Sequence, residues 1–329
     1  LRPMARHIVD AMDRHQVPIY IAAIAAGAAA GASAPGTTES FSVAMNPALA
    51  ALLYVTFLQV PIASLAEAAR DTRFISALLI ANFVVVPLLV AGLLPLLPDD
   101  DAVKIGVLLV LLCPCVDYVV VFTGLAGGDA ARLVAATPLL LLAQMALLPL
   151  YLRIFLGDDI TDVLDVRPFV EAFVIIIVVP LLLAWLTQWA VSTDEHRAVA
   201  RGWDRWPQAA AATMVPLMVL VLLVVTASQV PHIDGRAGDV ARVVPVYAVF
   251  LAAMIFLGAA LARLWRLPAS RARAVAFSGA TRNSLVVMPL AIALPAGMEI
   301  TAAVIVAQTL VEVVGMAICV RAVPALIKN

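Results

Sequence analysis

Four residues of this chain carry chemistry that their surroundings should exclude. Asp117, Arg282 and Glu312 are ionisable and Cys115 is a thiol, and each lies inside a long apolar run. A charge at the centre of a bilayer costs about 2.5–3.5 kcal/mol on insertion scales, so such residues pair with one another or line a solute or proton path. Asp117 and Arg282 are opposite in sign and read as an ion pair with a part in coupling. Glu312 lies four residues after Gln308, on the same helix face, and its carboxyl can take up and release a proton. Cys115 directly follows Pro114. A thiol beside a helix break can meet the positive end of the half-helix that follows, and sulfur is a soft ligand suited to thiophilic species. Taken alone, Cys115 could equally be a small packing residue, which is how Cys113 and Cys319 are read. Asn283 and Ser284 follow Arg282 in a polar break. With Asn82 they are candidate substrate contacts, whereas Gln144 and Gln308 fit interhelical glue.

Other chemistries find no support. There is no Cys/His cluster, HExxH or GxSxG motif, so neither a metal site nor a cofactor is expected, and the chain does not read as an enzyme. Asp158-Asp159-Ile160-Thr161-Asp162 spells a single acidic DDxxD, read as a solvated connector like Asp99-Asp100-Asp101. The net charge of −1 offers no basic footprint for nucleic acid.

The elements that must position these residues follow from composition. Of 329 residues, 64% are hydrophobic and 13% charged, against roughly 45–50% apolar and about 25% charged for soluble domains. So little charge cannot cover the surface of a water-soluble protein of this length, and the chain reads as all-α and polytopic. Apolar runs place ten spans near 17–32, 43–65, 74–97, 103–125, 132–156, 168–190, 208–230, 242–264, 272–295 and 300–322. The first, with Ala32-Ser33-Ala34 behind it, mimics a cleaved leader; connector charge favours it as a retained span. With both termini inside, fifteen Lys and Arg fall on the inner side and five on the outer, the bias expected for cytoplasmic ends in a plasma (inner) membrane.

The halves resemble each other. Met45-Asn46-Pro47 and then Thr56-Phe57-Leu58-Gln59-Val60-Pro61 match Met214-Val215-Pro216 and Thr226-Ala227-Ser228-Gln229-Val230-Pro231. Five spans per half is an odd number, so the copies are inverted, the architecture of secondary carriers. The expected divisions are a cytoplasmic segment 1–16, a first repeat 17–156, an acidic extracellular connector 157–167, a second repeat 168–322 and a cytoplasmic end 323–329. Spans four and nine occupy equivalent places, and both are interrupted, by Pro114 and by Gly279-Ala280-Thr281-Arg282-Asn283-Ser284. Broken helices at membrane depth survive only around a cavity or inside protein. The two are therefore expected to cross near the midplane, with Asp117 close to Arg282.

The run Pro114-Cys115-Val116-Asp117-Tyr118-Val119-Val120-Val121-Phe122-Thr123-Gly124-Leu125-Ala126-Gly127-Gly128-Asp129 resembles span four of the arsenite-efflux permeases, within the bile acid:sodium symporter superfamily. Asn82 before Pro87, Gln144, and Leu310-Val311-Glu312-Val313 match in order. The resemblance implies an inverted-repeat carrier exporting arsenite or antimonite against protons, with Cys115 its essential thiol and Glu312 its span-ten carboxylate. Span nine departs from it. Where the family has an Asn-Asn pair, an aromatic and a Glu, this chain has Arg282-Asn283-Ser284-Leu285, and Asp117 replaces a small residue. A guanidinium there could equally clamp an oxyanion. The alternative reading is a sodium-coupled symporter of small organic anions, as in the bile-acid branch.

Overall fold

The computed structural model describes residues 12, 16–33, 38–58, 71–115, 118–163, 174–192, 206–229 and 236–328. Its helices run in the order α1 (Gln16–Ser33), α2 (Thr38–Leu58), α3 (Thr72–Leu96), α4 (Asp101–Leu111), α5 (Tyr118–Leu125), α6 (Ala130–Val163), α7 (Val179–Ser192), α8 (Trp206–Gln229), α9 (Ala237–Leu264), α10 (Ala269–Ala280), α11 (Ser284–Ile292) and α12 (Ile300–Leu326). Among the described residues, α3, the Leu139–Gly157 stretch of α6, α9 and α12 are long and apolar enough to cross a membrane. Shorter apolar helices cover Pro18–Ser33, Val179–Ala190 and Val215–Ser228. This is an all-helical, polytopic integral membrane protein, as the shortage of charge requires.

The chain packs as two compact units, each drawn from two separate stretches of the sequence. Leu1–Ile62 and Val170–His232 form one unit, Ala63–Phe169 and Ile233–Asn329 the other. In the first, α1 lies against α8 at backbone contact. A Cβ on Gly27 would stand 2.5 Å from the Leu223 carbonyl oxygen, and one on Gly31 would stand 2.5 Å from that of Ala227. Two glycines four apart thus let the helices meet without side chains between them, the packing that serves where lipid supplies no hydrophobic drive. Gln188 on α7 donates to the carbonyls of Phe57 and Leu58 (3.1 and 3.2 Å), satisfying orphan acceptors at the end of α2.

The second unit holds the interrupted helices. A π-helical turn, Ala81–Val85, widens α3, and Tyr151 on α6 donates to the Phe83 carbonyl inside it (2.6 Å). Tyr247 on α9 donates to Val304 of α12 (3.1 Å), and Thr301 of α12 donates to Ala102 of α4 (2.9 Å). In each of these three cases a polar side chain finds a neighbouring helix's carbonyl rather than lipid. At one end of the unit, Asp71 accepts from both Arg132 and Arg271 at 2.8 Å, which ties the starts of α3, α6 and α10 together.

Several expectations fall outside the described residues. These are Asp117, nearly all of segment 1–16, residues 164–167 of the acidic connector, and Gln59-Val60-Pro61 and Val230-Pro231 of the repeated motif.

Candidate functional site

The site is built on two gaps in regular helix. α4 stops at Leu111 and α5 starts at Tyr118. Pro114 has no N–H to continue the helical ladder, and a residue before proline, here Cys113, is pushed away from helical geometry. α10 stops at Ala280, Thr281 turns extended (φ −92°, ψ 139°), and α11 starts at Ser284. Asn283 caps that second start, its Oδ1 accepting from the Val286 N–H at 3.1 Å. Unwound backbone cannot be left facing hydrocarbon, and the two gaps satisfy one another. Pro114 lies opposite Arg282 in an isolated antiparallel bridge. The Cys115 N–H donates to the Thr281 carbonyl (3.3 Å), and the Asn283 N–H donates to the Cys113 carbonyl (2.9 Å).

Arg282 is the largest wholly buried side chain among the described residues, at 0% exposure. Its guanidinium points into a ring of oxygens. Nη2 donates to Asn82 Oδ1 (2.8 Å) and to the carbonyls of Ser278 (2.6 Å) and Gly279 (2.8 Å). Nη1 donates to the Leu111 carbonyl (3.2 Å). Leu111 is the last residue of α4, and Ser278 and Gly279 lie in the last turn of α10, so the cation sits at the negative ends of two helix dipoles. The Phe250 ring of α9 lies 5.6 Å from the guanidinium carbon, within cation–π range. Asn82, held in the π turn, also donates to the Leu78 carbonyl and to Ser278 Oγ, both at 3.0 Å. π-turns of this kind often mark functional sites.

Glu312, 1% exposed on α12, closes the cluster from the other side. Its Oε2 accepts from the Arg282 backbone N–H (2.7 Å) and from Gln308 Nε2. Thr309 on the same helix bonds Ser284 Oγ at 2.8 Å. The side-chain amides of the cluster are not fully used among the described residues. Asn283 Nδ2 and Gln308 Oε1 are buried and have no hydrogen-bond partner. Both orientations are dictated by their neighbours, because Asn283 Oδ1 caps α11 and Gln308 must present its N–H₂ to a carboxylate. An amide donor, Asn283 Nδ2, and an amide acceptor, Gln308 Oε1, are thus without a partner among the described residues beside the Arg282–Glu312 contact.

Of the residues singled out from sequence, Asn82, Arg282 and Glu312 are joined by direct hydrogen bonds. Cys115, Asn283 and Ser284 sit on the paired gaps or at their exit. Cys115 is fully buried, and none of the three cysteines is in a disulfide. The expected contact of Arg282 with Asp117 lies outside the described residues. Gln144 is buried on α6, and no hydrogen bond among the described residues joins it to the cluster. Sequence reasoning missed Ser278, Phe250 and the three carbonyls that hold the guanidinium. Only Ser278 left a signal, a hydroxyl four residues before Arg282 on one helix face. Among the described residues no three His, Cys, Asp or Glu side chains gather as a metal site.

The arrangement gathers a thiol, a carboxylate, and an amide donor and acceptor without partners among the described residues around two paired helix gaps. A family model described as the SBF-like CPA transporter family matches residues 19–321. No curated protein matches the chain.

Proposed function

The chain belongs to the SBF-like CPA transporter family, and from that premise we propose that it exports trivalent arsenic, with antimony as a second substrate, in exchange for protons. The observation that carries this reading is the Cys115 thiol, buried on the bridge that joins the two helix gaps. Trivalent arsenic and antimony are thiophilic, and a soft sulfur at the crossing selects them over hard, oxygen-ligated ions. Their hydroxides are neutral at ordinary pH and carry hydroxyl groups that both donate and accept. Asn283 Nδ2 and Gln308 Oε1 supply the complementary pair. Glu312 is the group that exchanges a proton for the solute, since it reaches the crossing through the Arg282 backbone N–H.

In the same reading the chain has ten spans as two inverted repeats and lies in the plasma membrane with both termini cytoplasmic. The duplicated Met-x-Pro and Thr-x-x-Gln-Val-Pro motifs and the bias of Lys and Arg to one side support it.

The test is arsenite tolerance in cells stripped of their own exporter. Expression of the wild type should restore growth, and Cys115→Ser should abolish that protection while the protein still reaches the membrane. Protection that survives Cys115→Ser would remove the thiol from the mechanism. Sodium-dependent uptake of a labelled organic anion into proteoliposomes would instead favour the symporter alternative.

A further inference from the structure

We infer that the guanidinium of Arg282 is a built-in cation, filling an oxygen cage that would otherwise need a mobile monovalent ion, and that this makes the crossing independent of sodium. The inference rests on the carrier reading of the site but not on the identity of the solute.

Four neutral oxygens surround the guanidinium: Asn82 Oδ1 and the carbonyls of Leu111, Ser278 and Gly279, at 2.6 to 3.2 Å. Three of them converge on a single nitrogen, Nη2, which carries only two hydrogens. Such a convergence of neutral oxygens matches a cation's shell, as where backbone carbonyls replace an ion's water. Two helices, α4 and α10, add their negative ends. In broken-helix carriers, half-helix C-termini and unwound carbonyls of this type coordinate the coupling cation. Here that position holds a side chain tethered to the break itself. The same geometry argues against an oxyanion clamp. The Nη donors are turned towards carbonyls and an amide oxygen, and an anion placed there would face those oxygens.

A tethered cation cannot be exchanged between the two sides of a membrane. It holds a positive charge in the cage permanently, and among the described residues of the cluster Glu312 is the carboxyl that can couple by exchanging a proton. It also predicts that removing the side chain leaves a hole of defined chemistry, able to take a free guanidinium or a small monovalent ion.

The experiment is thermal unfolding of the full-length purified wild type, Arg282→Ala and Arg282→Lys. Methylguanidinium, sodium, potassium or choline chloride is present at matched ionic strength from solubilisation onward. The wild type should unfold at the same temperature in sodium, potassium and choline, and methylguanidinium, a weak denaturant, should not stabilise it. Arg282→Ala should unfold about 5 °C or more lower in choline, and methylguanidinium should restore it along a saturable curve. Arg282→Lys should lie between the two without added ligand. A saturable sodium stabilisation of the wild type would overturn the inference. So would an Arg282→Ala protein as stable as wild type, or one that methylguanidinium does not restore. If Arg282→Ala cannot be recovered folded, Arg282→Lys decides: recovery upholds a need for charge, and loss alike overturns it. No arsenic enters the assay, so its failure and failure of the substrate proposal are separate results.

Discussion

The two helix gaps are paired strand to strand, yet they do opposite work. The gap after α4 brings a proline, a thiol and bare carbonyls; the gap after α10 brings a cation, an amide and a capped helix start. Both sides offer main-chain donors and acceptors, but the soft ligand is on one and the cation on the other. Breaking a helix exposes unsatisfied carbonyls at one cut end and unsatisfied N–H groups at the other. This protein neutralises the carbonyl ends with Arg282 and caps the N–H end of α11 with Asn283. On the proposed function, the buried Cys115 thiol is the group that meets the solute. The contrast separates residues that keep the crossing intact from residues that give it selectivity.

Substitutions should divide along that line. The largest loss is expected for Arg282→Met, which strips the cage of its cation and leaves buried oxygens facing each other. Removing one partner from a buried charge cluster costs about 3–5 kcal/mol, to be read from chemical or thermal unfolding in detergent. Next is Asn82→Leu, which removes an acceptor from Arg282 and a donor from Ser278; about 2 kcal/mol is expected for the groups left unsatisfied. Cys115→Ala should cost about 1 kcal/mol or less in stability and yet abolish arsenite protection. A Cys115 variant as unstable as the Arg282 variant would erase the distinction drawn between the gaps.

The smallest effect belongs far from either gap, at Asp99. The hydrogen bond and charge of Lys104, 2.5 Å away, hold its carboxyl below the usual carboxylate range. A carboxyl whose folded value is lowered contributes stability above its ordinary range and loses it as pH falls through the folded value. Asp99 is fully exposed, so Asp99→Asn should leave stability at neutral pH unchanged within error. Its only trace should be a flatter decline in acid, seen by comparing unfolding of the two proteins across acidic pH.

Much of this was legible from residue order. The runs 74–97, 242–264 and 300–322 lie within or near the helices at Thr72–Leu96, Ala237–Leu264 and Ile300–Leu326, because an apolar block of that length has one stable form in lipid. The interruptions were legible too. Pro114 cannot continue a helix, and a Thr-Arg-Asn-Ser run is foreign to an apolar span. What holds Arg282 was not legible, since three of its acceptors are backbone carbonyls, which every residue carries and no side chain announces. The π turn around Asn82 was likewise silent, being one extra residue in a helix of ordinary composition. The packing units also follow a logic different from sequence repeats. Stretches 1–62 and 170–232 gather together although residues 63–169 separate them in the chain.

The hydrogen bonds between Cys115 and Thr281 and between Asn283 and Cys113 act as a rivet. Neither gap can straighten, slide or tilt by itself without exposing main-chain groups that only the other gap can satisfy. Gaps tied in this way favour moving together over serving as the hinge of a carrier. Whatever opens first to one face of the bilayer and then to the other must carry both broken helices, thiol and guanidinium included, as a single passenger.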